Sequence, residues 1–278
     1  MPVLAQRLIR KMRGGAQAHM IEASDGACYV VKFRNNPQHR RIVTNEWIAS
    51  VLLDYLEIAQ PKTAMIEVTE TFLGENPDVF IQLGSRRLEV DPGWHFGSQY
   101  PGDPRCQAVY DFIPDNLFER VVNLRHFLGV LAFDKWVGNA DARQSIFFRA
   151  RVSDWMPAVN APPQKTGFIA QMVDHGYIFD GSHWDFPDSP LYGLYFRPEI
   201  YRFVTSFADF QPWLDRVMHF PEEVLDKAYR QIPDAWLNGD REALEAILEK
   251  LFRRRKRVPD LIRECSRARV DPFPNWRE

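Results

Sequence analysis

Along the first 112 residues, short apolar runs alternate with turns rich in Gly and Pro. Beyond that point, longer stretches with helical spacing take over. His19–Ile21 and Cys28–Phe33 flank Ser24-Asp25-Gly26, which predicts a hairpin. Thr44 to Leu56 reads as a helix with Trp47, Val51, Leu52 and Leu56 on one face, Thr44 as N-cap and Pro61 beyond its end. Further strands are expected at Ala64–Val68, Val79–Leu83 and Ala108–Phe112, separated by the turns Glu89–Gly93 and Tyr100–Pro104. After Ile113-Pro114, Asp115 or Asn116 is a candidate helix cap. Leu124 to Val137 is apolar almost all round, the mark of a buried helix. Ser145–Arg149 and Gly167–Val173 read as strands on either side of a polar, Pro-rich stretch. Helices close the chain, clearest at Pro221–Arg230 and Arg241–Phe252. The pattern predicts an α+β protein with a strand-rich part over 1–112 and a helical part over 113–278, forming two lobes with a cleft between them.

Composition narrows the function classes. The 278 residues carry 35 basic and 37 acidic side chains, a formal net charge of -2, so bulk charge supports neither non-specific nucleic-acid nor membrane binding. No apolar run approaches the roughly 18–20 residues that span a bilayer. Cys28, Cys106 and Cys265 form no C-x-x-C pair and suit a reducing, cytoplasmic compartment rather than a disulfide framework. Residues 1–15 hold Arg7, Arg10, Lys11 and Arg13 and no acid. That composition fits an organellar transit peptide, or more simply a basic strand feeding a turn.

Candidate chemistry begins with two aspartates. Asp141 lies in a polar loop where the long apolar helix breaks at Gly138, and Asp174 leaves an apolar strand just before Gly176. Either can hold a metal or orient a nucleophile, and either alone reads as readily as a cap or turn residue. Lys32 is the one charge in Tyr29-Val-Val-Lys-Phe33. It needs an anionic partner or ligand if buried, and none if strand alternation turns it to solvent. Glu46 follows on the next helix. Gly14, Gly15, Ala16 and Gln17 form a small-residue turn whose backbone N–H groups can cradle phosphate, although neither a P-loop nor G-x-G-x-x-G is present. No H-E-x-x-H spacing and no G-x-S-x-G elbow occur. The basic run Arg253–Arg257 is a candidate nucleic-acid patch, with cations at a helix C-terminus as the simpler account. The aromatic residues Tyr192, Tyr195, Phe196, Tyr201 and Phe203 suit packing better than base stacking.

Taken together, the order of parts is that of the protein-kinase fold: small-residue turn, strand lysine, helix glutamate, loop aspartate, then Asp-x-Gly. The chain resembles the HipA-like kinases. The resemblance rests on Gly14–His19, Val30-Val-Lys32-Phe33, Asn45-Glu46, Gln60-Pro61, Gly93–Gly97 and Tyr110–Pro114. It finishes with Phe133–Asp141 and Val173-Asp-His-Gly176, covering about residues 12–180. It implies a two-lobed kinase that uses ATP and Mg²⁺ to phosphorylate a serine or threonine hydroxyl of a protein, or a small-molecule hydroxyl. A non-catalytic nucleotide- or partner-binding module is the alternative. It further implies that Lys32 contacts the ATP phosphates and pairs with Glu46, and that the 14–17 turn covers them. The backbone near Tyr110, Asp111 and Phe112 would hold the adenine, Asp141 would be the catalytic base and Asp174 a Mg²⁺ ligand. The family's asparagine five residues after the catalytic aspartate is Ile146 here, so Gln144, or else Ser145, is the candidate to supply the second metal ligand. Arg143 stands where a histidine is usual. Some relatives act beside a DNA-binding antitoxin, and nothing in this chain signals such a partner.

Overall fold

The computed structural model describes residues 2–156, 159, 161–269 and 272–278. Strands β1 (Val3–Lys11), β2 (His19–Ala23) and β3 (Cys28–Lys32) follow one another as antiparallel neighbours. The β2–β3 turn uses Gly26 at φ +79°, a conformation that costs a glycine little. Helix α1 (Arg41–Tyr55) then leads to β4 (Thr63–Val68), helix α2 (Glu70–Glu75), the hairpin β5 (Phe80–Leu83)–β6 (Arg86–Glu89), and β7 (Gly93–Gln99). Strand β7 pairs with both β3 and β4, and β4 returns to β1, closing a barrel in the order β1-β2-β3-β7-β4. Closure leaves this sheet no free edge.

Strand β8 is only Val109–Tyr110, shorter than the expected Ala108–Phe112. It pairs with β9 (Gln144–Arg151), which pairs along its length with β10 (Thr166–Val173). Helix α3 (His126–Val137) precedes β9 and α4 (Val152–Trp155) follows it. The chain ends in α5 (Pro198–Tyr201), α6 (Trp213–Met218), α7 (Glu222–Gln231), α8 (Asp234–Leu237), α9 (Arg241–Arg254) and α10 (Val258–Ser266). No helix of the described residues is long and apolar enough to cross a membrane.

Core membership does not follow sequence order. One cluster, including Ile21, Val31, Ile66 and Ile81, fills the barrel. A larger one joins α3 and the C-terminal helices to Val43, Ile48 and Leu52 of α1 and to Leu56 just past its end. Helix α1 is therefore buried almost all round, because α7 and α8 cover the side that the barrel leaves open.

Several local expectations change. Thr44 is not an N-cap: α1 begins at Arg41, and Thr44 lies inside it, fully buried. Trp47 and Val51, expected on the buried face, are the half-buried positions. Asp115 and Asn116 open a 3-10 turn over Asp115–Arg120 rather than capping an α-helix, and Asp115 pairs with Arg197. Of the aromatic residues, Tyr201 is buried, while Phe196 and Phe203 are exposed.

Candidate active site

A cleft of about 400 Å³ is lined from both sheets: Val30 and Lys32 of β3, Ile146 of β9, Met172 of β10, and the Gly14–Gln17 turn. Asp141, Gln144 and Asp174 line it too.

Lys32 is almost wholly buried. It projects from β3 toward Glu46 of α1 and the exit of β10, and only 11% of its side chain is exposed. The ammonium donates to Glu46 Oε1 and, at 2.8 Å, to Asp174 Oδ1. Burial works against the charge on Lys32, but the two carboxylates outweigh it and hold its pKa above the ordinary value. Glu46 is fully enclosed on α1, and burial pushes its carboxyl up against the pull of Lys32. For Asp174, burial acts in the same sense, but Lys32 and Arg143 prevail and keep it below the usual range.

Asp174 leaves β10 at φ +60°, a left-handed conformation that turns the chain sharply at the strand exit. Gly176 follows because nothing larger fits: a Cβ there would lie 2.7 Å from Ile42 Cγ2 of α1. Asn45, beside Glu46, fixes this segment by donating to the carbonyls of Gly176 (2.7 Å), Ile178 (3.1 Å) and Gly181 (2.9 Å), while Trp184 donates to its Oδ1 at 2.9 Å. One helix turn thus carries both the lysine's partner and the clamp on the Asp174 segment.

The Asp141 loop has its own scaffold. Gly138 ends α3 in the left-handed conformation, at φ +59°. Buried Asn139 donates to Asp134 Oδ1 at 3.0 Å and accepts the Asp141 N–H at 3.2 Å. The Asp141 carboxylate accepts from the Ala142 N–H (2.8 Å) and from Gln144 Nε2 (3.2 Å). Arg143 is fully buried in an ion pair with Asp134, and also donates to Val173 O and His175 Nδ1, both at 3.0 Å. It therefore ties the Asp141 loop to the Val173 backbone and the His175 ring, on either side of Asp174. His175 stays neutral: burial, then Arg143 and Lys32, push its pKa well below 6.5. Sequence reasoning missed this role for Arg143 and Asp134. The available signal was a lone acid in the apolar run Phe133-Asp134-Lys135-Trp136.

The remaining candidates divide. Gly14, Gly15 and Ala16 line the cleft, and the Gly15 and Ala16 N–H groups carry no hydrogen bond among the described residues. Gln17 also lines it, but its N–H closes the turn onto Gly14 O (3.1 Å), and its side-chain amide pairs both ways with the Gln82 backbone at 2.7 Å. It is not a free donor for phosphate. Tyr110, Asp111 and Phe112 are exposed and do not line the cleft. Gln99, Tyr100, Pro101 and Val109, the last adjoining Tyr110, line it instead. Strand alternation turns Gln144 and Ile146 to the cleft and buries Ser145 and Phe147, which removes Ser145 as a cleft ligand.

Among the described residues no group of three or more His, Cys, Asp or Glu is placed to hold a metal. Asp174 and the Gln144 amide oxygen, both lining the cleft, are hard oxygen donors. Two such donors fit a divalent ion that takes its remaining oxygens from bound phosphates rather than from an all-protein cage.

None of the curated proteins compared matches the chain. Among solved structures, the Golgi casein kinase with Mn/ADP bound aligns at 12% identity and a TM-score of 0.49, covering 97% of this chain and 74% of that one. A second Golgi casein kinase structure aligns at 13% and 0.48, covering 96% and 72%. Hydra Fam20 with sugar aligns at 13% and 0.51, covering 97% and 86%, a likeness of overall fold. The family model described as HipA-like kinase matches residues 5–260, from the first barrel strand through the cleft into α10, and the chain belongs to that family.

Proposed function

We propose that this HipA-like kinase transfers the γ-phosphoryl group of ATP, bound with Mg²⁺, to a serine or threonine hydroxyl of a protein. Membership of the family makes the chain a kinase-type phosphotransferase. The observation that carries the finer reading is the Lys32 ammonium, held between Glu46 and Asp174 in a cleft that Asp141 and the Gly14–Ala16 turn also line.

In this reading Lys32 and the Gly15 and Ala16 N–H groups bind the phosphates. Asp141 accepts the acceptor's hydroxyl proton as its oxygen bonds to the γ-phosphorus, while the bond to the β-phosphate oxygen breaks and ADP leaves. Asp174 and Gln144 hold Mg²⁺, which when bound neutralises phosphate charge. Gln99–Pro101 and Val109, in place of Tyr110–Phe112, take the adenine. The strand-rich lobe is assigned to 1–112 and the helical lobe to 113–278. The free thiols of Cys28, Cys106 and Cys265 support a cytoplasmic setting.

Ile146 favours a second reading. It presents an apolar side chain to the cleft where a second metal ligand is expected, which suits a module that binds nucleotide without transferring phosphate. Thermal unfolding with and without Mg·ATP tests binding: at about 100 times the dissociation constant, ligand adds roughly 2.7 kcal/mol, on the order of 5–10 °C for a chain of this size. The shift should shrink in Asp174→Ala. Asp141→Ala should keep the shift and lose phosphate transfer to a protein acceptor. Transfer that persists in that variant sinks the assignment of the base, and a wild type that shifts without transferring phosphate moves the second reading ahead.

A further inference from the structure

The basic run Arg253–Arg257 does not act as one unit. Arg253 pairs with Glu249 within its own helix, and Arg255 turns to the Phe252 and Met218 carbonyls. These two fit the account of cations at a helix C-terminus. Arg254 and Arg257 do something else: Arg254 Nη2 lies 2.7 Å from Asp188 Oδ1, and Arg257 Nη1 lies 2.7 Å from Asp188 Oδ2. The Arg254 side chain is 9% exposed. It also donates to Trp136 O (3.0 Å) and Lys135 O (3.3 Å) at the end of α3, and its guanidinium lies over the Phe186 ring.

A second tether grips the same loop. Lys135, buried near the end of α3, donates to the carbonyls of Ser189 (3.3 Å), Pro190 (2.9 Å) and Tyr192 (2.7 Å). Residues 186–192 are thereby strapped to the C-terminus of α3, the helix whose continuation carries Asp141. The strap delivers Gly193 onto that loop. The Gly193 N–H donates to Asp141 O at 3.2 Å, and a Cβ on Gly193 would lie 2.0 Å from Asp134 Cβ. Asp141 is thus braced by Asn139 on one side and by Gly193 at its carbonyl.

We propose that Asp188 is a positioning residue for phosphoryl transfer, a carboxylate latch that holds the 186–193 strap against the Asp141 loop through Arg254 and Arg257. In switched kinases, phosphate–arginine pairs order the segment that follows the metal-binding aspartate. Here the chain itself supplies the anion, so the strap is ordered without modification. An isolated surface ion pair contributes little, but this one engages a nearly buried arginine already fixed by two carbonyls.

The latch rests on the proposed function for its catalytic consequence, and hydrogen exchange reads it independently. In Asp188→Ala the amides of 186–194 should exchange about tenfold faster or more, because the strap loses one of its two tethers and keeps only Lys135. The same variant should lose about tenfold or more in kcat with the KM for ATP within about twofold, since a misplaced base slows transfer without removing phosphate contacts. Asp188→Glu should recover most of both. Wild-type exchange and turnover in Asp188→Ala, no recovery by glutamate, or a KM for ATP that rises in step with the loss of kcat would each overturn the proposal. A wild type that transfers no phosphate overturns the proposed function, and the exchange comparison then decides alone whether Asp188 orders the strap.

Discussion

Lys32 and Asp174, separated by 142 positions, meet at 2.8 Å across the cleft, with Glu46 completing the lysine's pairing. The contact links the barrel to the exit of β10, so one side chain reports on both. Each carboxylate partner enters from a different element, α1 and the β10 exit. Neither strand periodicity nor charge counting brings these three groups together.

Lys32→Met should remove a phosphate contact and leave the buried Glu46 without its cation. Breaking a buried pair costs about 3–5 kcal/mol, and burial already raises the Glu46 pKa, so the variant should relieve part of that cost by protonating it. Lys32→Met/Glu46→Gln should therefore recover stability in urea titration without recovering ATP turnover. Turnover near the wild-type level in either variant would show that Lys32 does not bind phosphate.

Strand alternation in β9 separates neighbouring side chains into different roles. Gln144→Ala should raise the Mg²⁺ concentration needed for half-maximal activity, and Ser145→Ala should not, because Ser145 faces the core. Ile146→Asn adds an oxygen donor on the cleft face and should lower the Mg²⁺ requirement. Titrations of activity against Mg²⁺ check the order, and a larger effect at Ser145 than at Gln144 would contradict the assignment.

Gly176→Ala places a methyl group 2.7 Å from Ile42 Cγ2 and 3.5 Å from Glu46 Oε1. Overpacking of this kind costs about 1–3 kcal/mol. Helix α1 must give way, taking Glu46 with it, so stability should fall and the KM for ATP should rise together. Ile42→Ala in the same chain should recover the affinity for ATP, since it makes room for the methyl group.

Buried neutral histidines set the acid limit of stability. Burial holds His95 at about 3 and His126 at about 4, against an ordinary 6.5. His95 Nδ1 accepts the Arg34 N–H and His126 Nδ1 accepts the Ala59 N–H, each at 2.9 Å, which requires the unprotonated nitrogen. Below about pH 6.5 the unfolded chain takes up protons that the folded chain refuses, so stability falls with falling pH by roughly 1.4 kcal/mol per unit for each histidine until its folded pKa is reached. His126→Gln keeps an acceptor and removes the titration. Its unfolding free energy between about pH 6.5 and 4.5 should lose roughly 1.4 kcal/mol per unit of slope relative to wild type. An unchanged slope would show that His126 protonates freely in the folded chain.

Much of the framework was legible because local physics fixed it. The His19–Ala23/Cys28–Lys32 hairpin follows from its Asp25-Gly26 turn, and α3 and β10 follow from runs too apolar to be anywhere but inside. Strand β7 was not legible as a strand. Gly93 and Gly97 lower its intrinsic preference, and it is extended because β3 and β4 pair with it on both sides, with Gly97 packed where a Cβ would lie 2.5 Å from Ile66. Thr44 read as a cap because capping preference is local, whereas α1 is continued to Arg41 by the tertiary packing around it.

The sequence by itself determined which residues carry the chemistry-bearing groups: a lysine in an apolar strand, a glutamate on the next helix, and an aspartate within three positions of a glycine in each of two loops. Tertiary structure alone decided which of these groups meet and what holds them. Burial turned Lys32 from a solvent-facing option into a shared donor, and the fold lined the cleft with Gln99–Pro101 and Val109 beside the exposed Tyr110–Phe112. It also made Arg143 the tie between the two aspartate loops. The reason is physical: a periodic pattern records which face of an element is apolar, while a charge pair buried between elements exists only once both have been desolvated against each other.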